Sequence, residues 1–169
     1  MGIERTAVSL AKANTRMGKD SAVSGRMPPI RSPKDLIAWQ LCDELADLVR
    51  KITATGPVTR DFELCDQVRR SSGAPAPQIA EGFGRFGPRE FARYLTMAVS
   101  SLMETDTWLA RGSRYGYWSD DTYKGVKRLC DRALDITRKL LASKLRQIEE
   151  EKRRKLVRNK SRLRTRSRK

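Results

Sequence analysis

Ser119–Ile148 reads SDDTYKGVKRLCDRALDITRKLLASKLRQI, and its spacing decides the fold class. Val126, Leu129, Ala133, Ile136 and Leu140 recur at steps of three, four, three and four, which puts them on one face of a helix. Cys130, Leu134 and Leu141 widen that face. Ser119 is a suitable N-cap, and Asp120 and Asp121 occupy the first turn, where the helix dipole favours acids. A single apolar stripe has to be buried against another element, so the rest of the chain must supply partners.

Three upstream segments do so. Ser32-Pro33 with Asp35 reads as a capped helix start, followed by a stripe of Ile37, Leu41, Leu45, Leu48 and Ile52 that ends at Gly56-Pro57. Thr59 is expected to cap a second helix with Phe62, Leu64, Cys65, Val68 and Ile79 as its apolar surface. Ser71–Pro77 interrupts that pattern. Its prolines predict a kink or break, with the helix resuming at Ile79-Ala80-Glu81. Pro88 opens a third helix with a stripe of Phe91, Leu95, Ala98, Leu102 and Leu109, stopped by Gly112. Tyr115, Tyr117 and Trp118 form an aromatic corner before the fourth. No segment reads as a strand. Four amphipathic helices on short loops predict an all-α, antiparallel up-and-down four-helix bundle over residues 32–148. Stripes this wide also predict self-association.

Charge is unevenly placed. The 169 residues carry 36 Lys and Arg against 20 Asp and Glu, net +16. Residues 1–30 contribute +3 (five against two), residues 31–148 contribute +5 (20 against 15), and residues 149–169 contribute +8 (11 against three). Half the excess thus sits in a basic C-terminal extension: Lys152, Arg153, Arg154, Lys155, Arg158, Lys160, Arg162, Arg164, Arg166, Arg168 and Lys169. Glu149, Glu150 and Glu151 precede Arg153, Arg154 and Lys155 by four, so the last helix is expected to project past the bundle on ion pairs. Residues 159–169 are expected to be disordered when free. A solvated tail does not need such one-sided charge. Nucleic acid is the polyanion it suits best, with RNA favoured, and an acidic membrane surface is the competitor.

Other features narrow the classes. There is no histidine, which removes the commonest general base and metal ligand. Cys42, Cys65 and Cys130 are widely spaced among apolar residues and read as buried, inert thiols in a reducing, cytoplasmic setting. No metal, cofactor or catalytic residue is expected. No apolar run is long enough to span a bilayer. Residues 1–31 read as a disordered leader; Arg5, Lys12, Arg16 and Lys19 among small residues also resemble a transit peptide.

The middle of the chain carries an ordered set of motifs: Asp35-Leu36-Ile37-Ala38-Trp39-Gln40, Gln67-Val68-Arg69-Arg70, Ile79–Arg85 (IAEGFGR), and Glu90-Phe91-Ala92-Arg93-Tyr94-Leu95. Together these resemble the four-helix-bundle proteins encoded in intervening sequences of bacterial 23S rRNA, over about residues 33–145. The resemblance implies an all-α bundle, a ring-shaped homopentamer and no established enzymatic activity. It also implies kinship with accessory proteins of diversity-generating retroelements, which are basic pentamers that bind nucleic acid and a reverse transcriptase. Two departures stand out. Gln78 sits where the family usually has Asn, and Pro75 and Pro77 flank the position of its single proline.

Individual motifs have plainer readings. Gly82–Gly87 matches GxGxxG, yet no strand precedes it, so a helix–helix turn pinned by Phe83 or Phe86 is expected rather than a dinucleotide site. Glu81 is expected to pair with Arg85 rather than to act as an acid or base. Arg85, Arg89 and Arg93, spaced by four, form one basic edge if the helix is continuous there. That edge is either a solvated face balanced by Glu81 and Glu90 or a set of phosphate contacts. The aromatic corner could stack on bases, though packing is its plainer use. The expected function is a non-enzymatic, oligomeric nucleic-acid-binding bundle. The alternative is a protein scaffold, for example for a reverse transcriptase.

Overall fold

The computed structural model describes residues 29–85 and 87–166 and, among these, contains helices and no strand. We label the helices α1 (Ile37–Ile52), α2 (Phe62–Gly73), α3 (Pro75–Gly84), α4 (Pro88–Arg114) and α5 (Asp120–Arg166). α2 and α3 are one bundle member, kinked at Ala74. Pro75 and Pro77 sit in the first turn of α3, where their missing N–H groups have no helical partner to lose. α1 packs on α5 and on α2–α3, and α4 packs on α5 and on α2–α3, giving the expected four-membered bundle.

The core is one apolar column. Leu41, Leu45 and Val49 of α1 meet Leu64 and Val68 of α2, Ile79 of α3, Leu95, Leu102 and Leu109 of α4, and Val126, Cys130 and Ala133 of α5. The stripe of α1 is rotated from its expected phase. Ile37 is 52% exposed, while Ala38, Cys42 and Val49 are buried. Phe62, expected in the core, is 81% exposed.

Several ends differ from expectation for local reasons. Ser32 and Asp35 build their box on a single 3-10 turn, Pro33–Asp35, in which the Asp35 carboxylate accepts the Arg31 and Ser32 backbone N–H groups at 2.8 Å each. Those two bonds hold the Asp35 carboxyl below its ordinary pKa. Leu36 is extended, and α1 starts only at Ile37. Asp61, not Thr59, caps α2, accepting from Leu64 N–H at 2.9 Å. The helix after the kink resumes at Pro75 rather than Ile79. Gly112 does not stop α4, which runs on to Arg114. Gly112 is buried because the Trp118 indole lies on it, where a Cβ would stand 2.3 Å from the ring. Ser119 caps α5 as expected, through its Oγ and the Thr122 N–H at 3.3 Å.

Candidate nucleic-acid interface

The register between α4 and α5 fixes which residues meet at each end of the bundle. The Lys127 ammonium reaches Asp106 at 3.2 Å, the Cys130 thiol reaches the Leu102 carbonyl at 3.7 Å, and the Lys144 ammonium lies 5.5 Å from the centre of the Phe91 ring. Numbers rise on one helix as they fall on the other, so the first residue of α4, Pro88, stands opposite about residue 146 of α5. α5 continues to Arg166. It therefore overhangs its partner by about 20 residues, or ~30 Å. Up to residue 159, Thr137 is the last residue of α5 that is buried, and positions 152–159 are all exposed. Residues 159–166, expected to be disordered, continue the helix. The backbone of Lys160, Arg162, Arg164 and Arg166 belongs to it, and Arg168 and Lys169 lie outside the described residues. Of the leader expected over residues 1–31, residues 1–28 do too, while the Arg31 backbone N–H is held by Asp35.

Lys152, Arg153, Arg154, Lys155 and Arg158 are exposed on the overhang. The expected pairs four residues apart do not form. Glu149 instead meets Lys152 at 3.3 Å, and Arg153, Arg154 and Lys155 make no ion pair among the described residues.

Arg85, Arg89 and Arg93 do not form one helical edge. α3 ends at Gly84, Arg85 is extended, and the chain turns at Gly87 with φ of 109° before α4 begins. Arg85 and Arg93 nonetheless converge, with guanidinium carbons 5.9 and 5.6 Å from the centre of the Tyr94 ring. Arg85 donates to Glu81 at 2.7 Å, and Arg93 lies 3.6 Å from Glu90. Arg89 is exposed and makes no ion pair among the described residues. Two of the three cations are thus partly balanced by acids. All three sit at the end of the bundle from which α5 projects, because Phe91 neighbours both Arg89 and Arg93 and touches Lys144.

The IAEGFGR motif is accounted for by packing. Ile79 is fully buried, and Gly82 lets α3 cross α4 where a Cβ would come within 2.7 Å of the Tyr94 Cβ. Phe83 meets Phe91 edge-on at 6.2 Å, and Phe86 lies outside the described residues. Glu81 accepts from the Tyr94 hydroxyl at 2.6 Å and from Arg85, and those bonds, Tyr94's first, hold its carboxyl below the ordinary value. Gln78 accepts from Ser101 Oγ at 3.3 Å and so links α3 to α4. The GxGxxG match is a helix–helix turn.

Sequence reasoning missed Arg69. It donates to Thr53 Oγ1 at 2.8 Å and to the Thr53 carbonyl at 2.7 Å, closing the C-terminal end of α1. Its place in the Gln67–Arg70 motif was the available signal. The aromatic corner is mainly packing. Tyr117 donates to Asp61 at 2.9 Å, Trp118 covers Gly112, and Tyr115 leans edge-on against Tyr117 while remaining 58% exposed. The three cysteines are buried. Burial pushes the Cys42 and Cys130 thiols up to about 12 and raises Cys65 as well. Among the described residues, no helix is long and apolar enough to cross a membrane.

An antiparallel four-helix bundle with its last helix prolonged as a cationic rod defines the class. The chain belongs to the 23S rRNA-intervening sequence protein family, which it matches over residues 34–139. A protein of unknown function from the S23 ribosomal protein family of Bacteroides thetaiotaomicron VPI-5482 has a similar solved structure. It is 19% identical, with a TM-score of 0.59 over 64% of this chain and 98% of that one. At that identity the likeness is one of fold. No curated protein matches the chain. The matched family region stops at residue 139, before the overhang begins.

Proposed function

We propose that the chain is a non-enzymatic nucleic-acid-binding protein, with RNA as its polyanion, that acts through the end of the bundle from which α5 projects. One observation carries this reading: a 27-residue α4 packed antiparallel to a 47-residue α5 carries a cationic stretch, exposed at positions 152–159, past the bundle end that holds Arg85, Arg89 and Arg93. The family's link to rRNA supports RNA over DNA. Lys152, Arg153, Arg154, Lys155, Arg158, Lys160, Arg162, Arg164, Arg166, Arg168 and Lys169 supply the main phosphate contacts, and Arg85, Arg89 and Arg93 extend the field toward the bundle. Contacts of this kind release counterions, so affinity falls steeply with salt. Exposed Met97, Met103 and Leu145 offer surface for self-association in the cytoplasm, and several copies would combine weak contacts into one strong one.

The test is a filter-binding titration with RNA at 50 to 200 mM salt, on the full chain and on a chain ending at residue 148. Removing 11 cations is expected to cost on the order of 10³-fold in affinity at low salt and to flatten the salt slope. Equal affinity and slope for both chains would overturn the proposal. A second reading, a scaffold for a protein partner such as a reverse transcriptase, is favoured by Phe62 and Tyr115, both exposed at the opposite end of the bundle. It predicts a pull-down that survives nuclease and is lost on Phe62→Ala.

A further inference from the structure

Resting on the nucleic-acid reading above, we propose that the overhang of α5 inserts lengthwise into a groove walled by phosphates on both sides, so that the chain prefers nucleic acids with a helix-wide groove. Two observations place it there.

The first is the distribution of cations around the rod. Lys152, Arg153, Arg154 and Lys155 are consecutive and all exposed. At about 100° per residue they point into all four quadrants, with the lysine pair and the arginine pair on opposite sides. A helix that lies on a single strand uses one side. A helix lodged between two phosphate walls uses both. The second observation is the exposure of this stretch. No residue from 152 to 159 is covered, and even Leu156 and Val157 are 62% and 64% exposed, so the whole circumference is accessible. The same distribution argues against a bilayer surface, because an interfacial helix needs its apolar and cationic residues on separate faces. Here Leu156 and Val157 are about 100° apart, among cations on every side.

Groove dimensions then select the ligand. A helix with side chains is about 10–12 Å across. The B-form DNA major groove, about 12 Å wide, admits it. The major groove of an uninterrupted A-form RNA duplex is deep and too narrow for side chains to enter. The shared chemistry is therefore an open major groove, supplied either by B-form DNA or by an RNA duplex widened at a bulge. The ~30 Å rod is close to one turn of a duplex in length, enough to follow the groove.

The test uses the full chain and four probes with matched phosphate counts: unstructured single-stranded RNA, a perfect RNA duplex, the same duplex with a three-nucleotide bulge, and a B-form DNA duplex. We expect the bulged RNA, the DNA or both to bind about tenfold or more tightly than the perfect duplex and the single strand, the better of the two identifying the source of the groove. Two double variants, K152Q/K155Q and R153Q/R154Q, should each weaken that preferred complex severalfold, since each strips one wall. Val157→Pro breaks the rod by removing an N–H and clashing one turn back, while leaving every charge in place. It should erase the preference and leave single-strand affinity unchanged, with circular dichroism showing the bundle intact. Equal binding to all four probes, or sensitivity to only one double variant, overturns groove insertion and leaves the polyanion reading standing. Tighter binding to vesicles of anionic lipid than to any of the four overturns it as well. Absence of binding to every probe overturns both proposals.

Discussion

The two halves of α5 share a helix and little else. From Asp120 to about residue 146 the helix is half of a packing interface: Val126, Cys130, Ala133 and Thr137 are buried, and Lys127 is anchored between Asp106 and Asp131. Farther along the same helix, positions 152–159 are all exposed, and the charge of residues 149–169 is one-sided. In the first half the side chains are chosen by what they touch. In the second they face solvent. Stability therefore resides in one half and the proposed binding in the other, and substitutions should separate the two.

The largest separation is expected between two leucines. Leu102 is fully buried opposite the inner half of α5, so Leu102→Ala should cost about 2–5 kcal/mol in urea unfolding. Leu156 is 62% exposed on the outer half, so Leu156→Ala should stay within about 0.5 kcal/mol. Similar costs at the two sites would mean that the overhang is buried by something the isolated chain supplies, and the comparison would fail. Next comes Gly112→Ala. The new methyl would collide with the Trp118 indole at 2.3 Å, which must shift. Overpacking of this kind costs about 1–3 kcal/mol. The loss should appear as a lower denaturation midpoint, with RNA affinity unchanged. Arg69→Met removes two hydrogen bonds to Thr53 and should cost about 1 kcal/mol, since Arg69 as a whole is exposed and both bonds are only partly buried. Both substitutions lie in the bundle, and an affinity loss from either, measured where the protein is fully folded, would break the division of labour.

How much of this could be read beforehand differs by feature. Four stripes and two Pro/Gly turns were enough for the bundle, because helical periodicity and loop length are local properties. The phase of α1 was not legible. Ile37 is more apolar than Ala38, yet the extended Leu36 resets where the helix begins, and Ile37 is turned to solvent. Gly112 departs from its expected role as a helix stop for a related reason. A glycine that ends a helix and one that accommodates an indole look alike until the chain folds back and puts Trp118 on top of it. For the candidate site, composition alone exposed the basic extension. Its nearness to Arg85, Arg89 and Arg93, some 60 residues away in the chain, follows only from the unequal lengths of α4 and α5. The break at Gly84–Gly87 that removes Arg85 from the arginine edge depends on a backbone turn that spacing by four does not reveal.

The smallest expected effect concerns the bundle end nearest the overhang. Glu81 joins α3 to α4 by accepting from Tyr94 and Arg85, and these bonds lower its folded pKa below the ordinary value of 4.5. A carboxyl whose pKa is depressed by folding contributes stability that is present above its unfolded pKa and is lost as pH falls through the folded one. Glu81→Gln keeps an acceptor for Tyr94 but removes the charge. Its Tm should therefore lie slightly below that of the parent at pH 7. The gap should close as the pH drops below 4.5, where the parent carboxyl also becomes neutral. The two chains differ in no other titrating group, so the closing belongs to Glu81. A gap that stays constant across the acid range would mean that the Tyr94 contact depends on shape rather than charge. The link between α3 and α4 would then resemble the rest of the core more than the solvated end it borders.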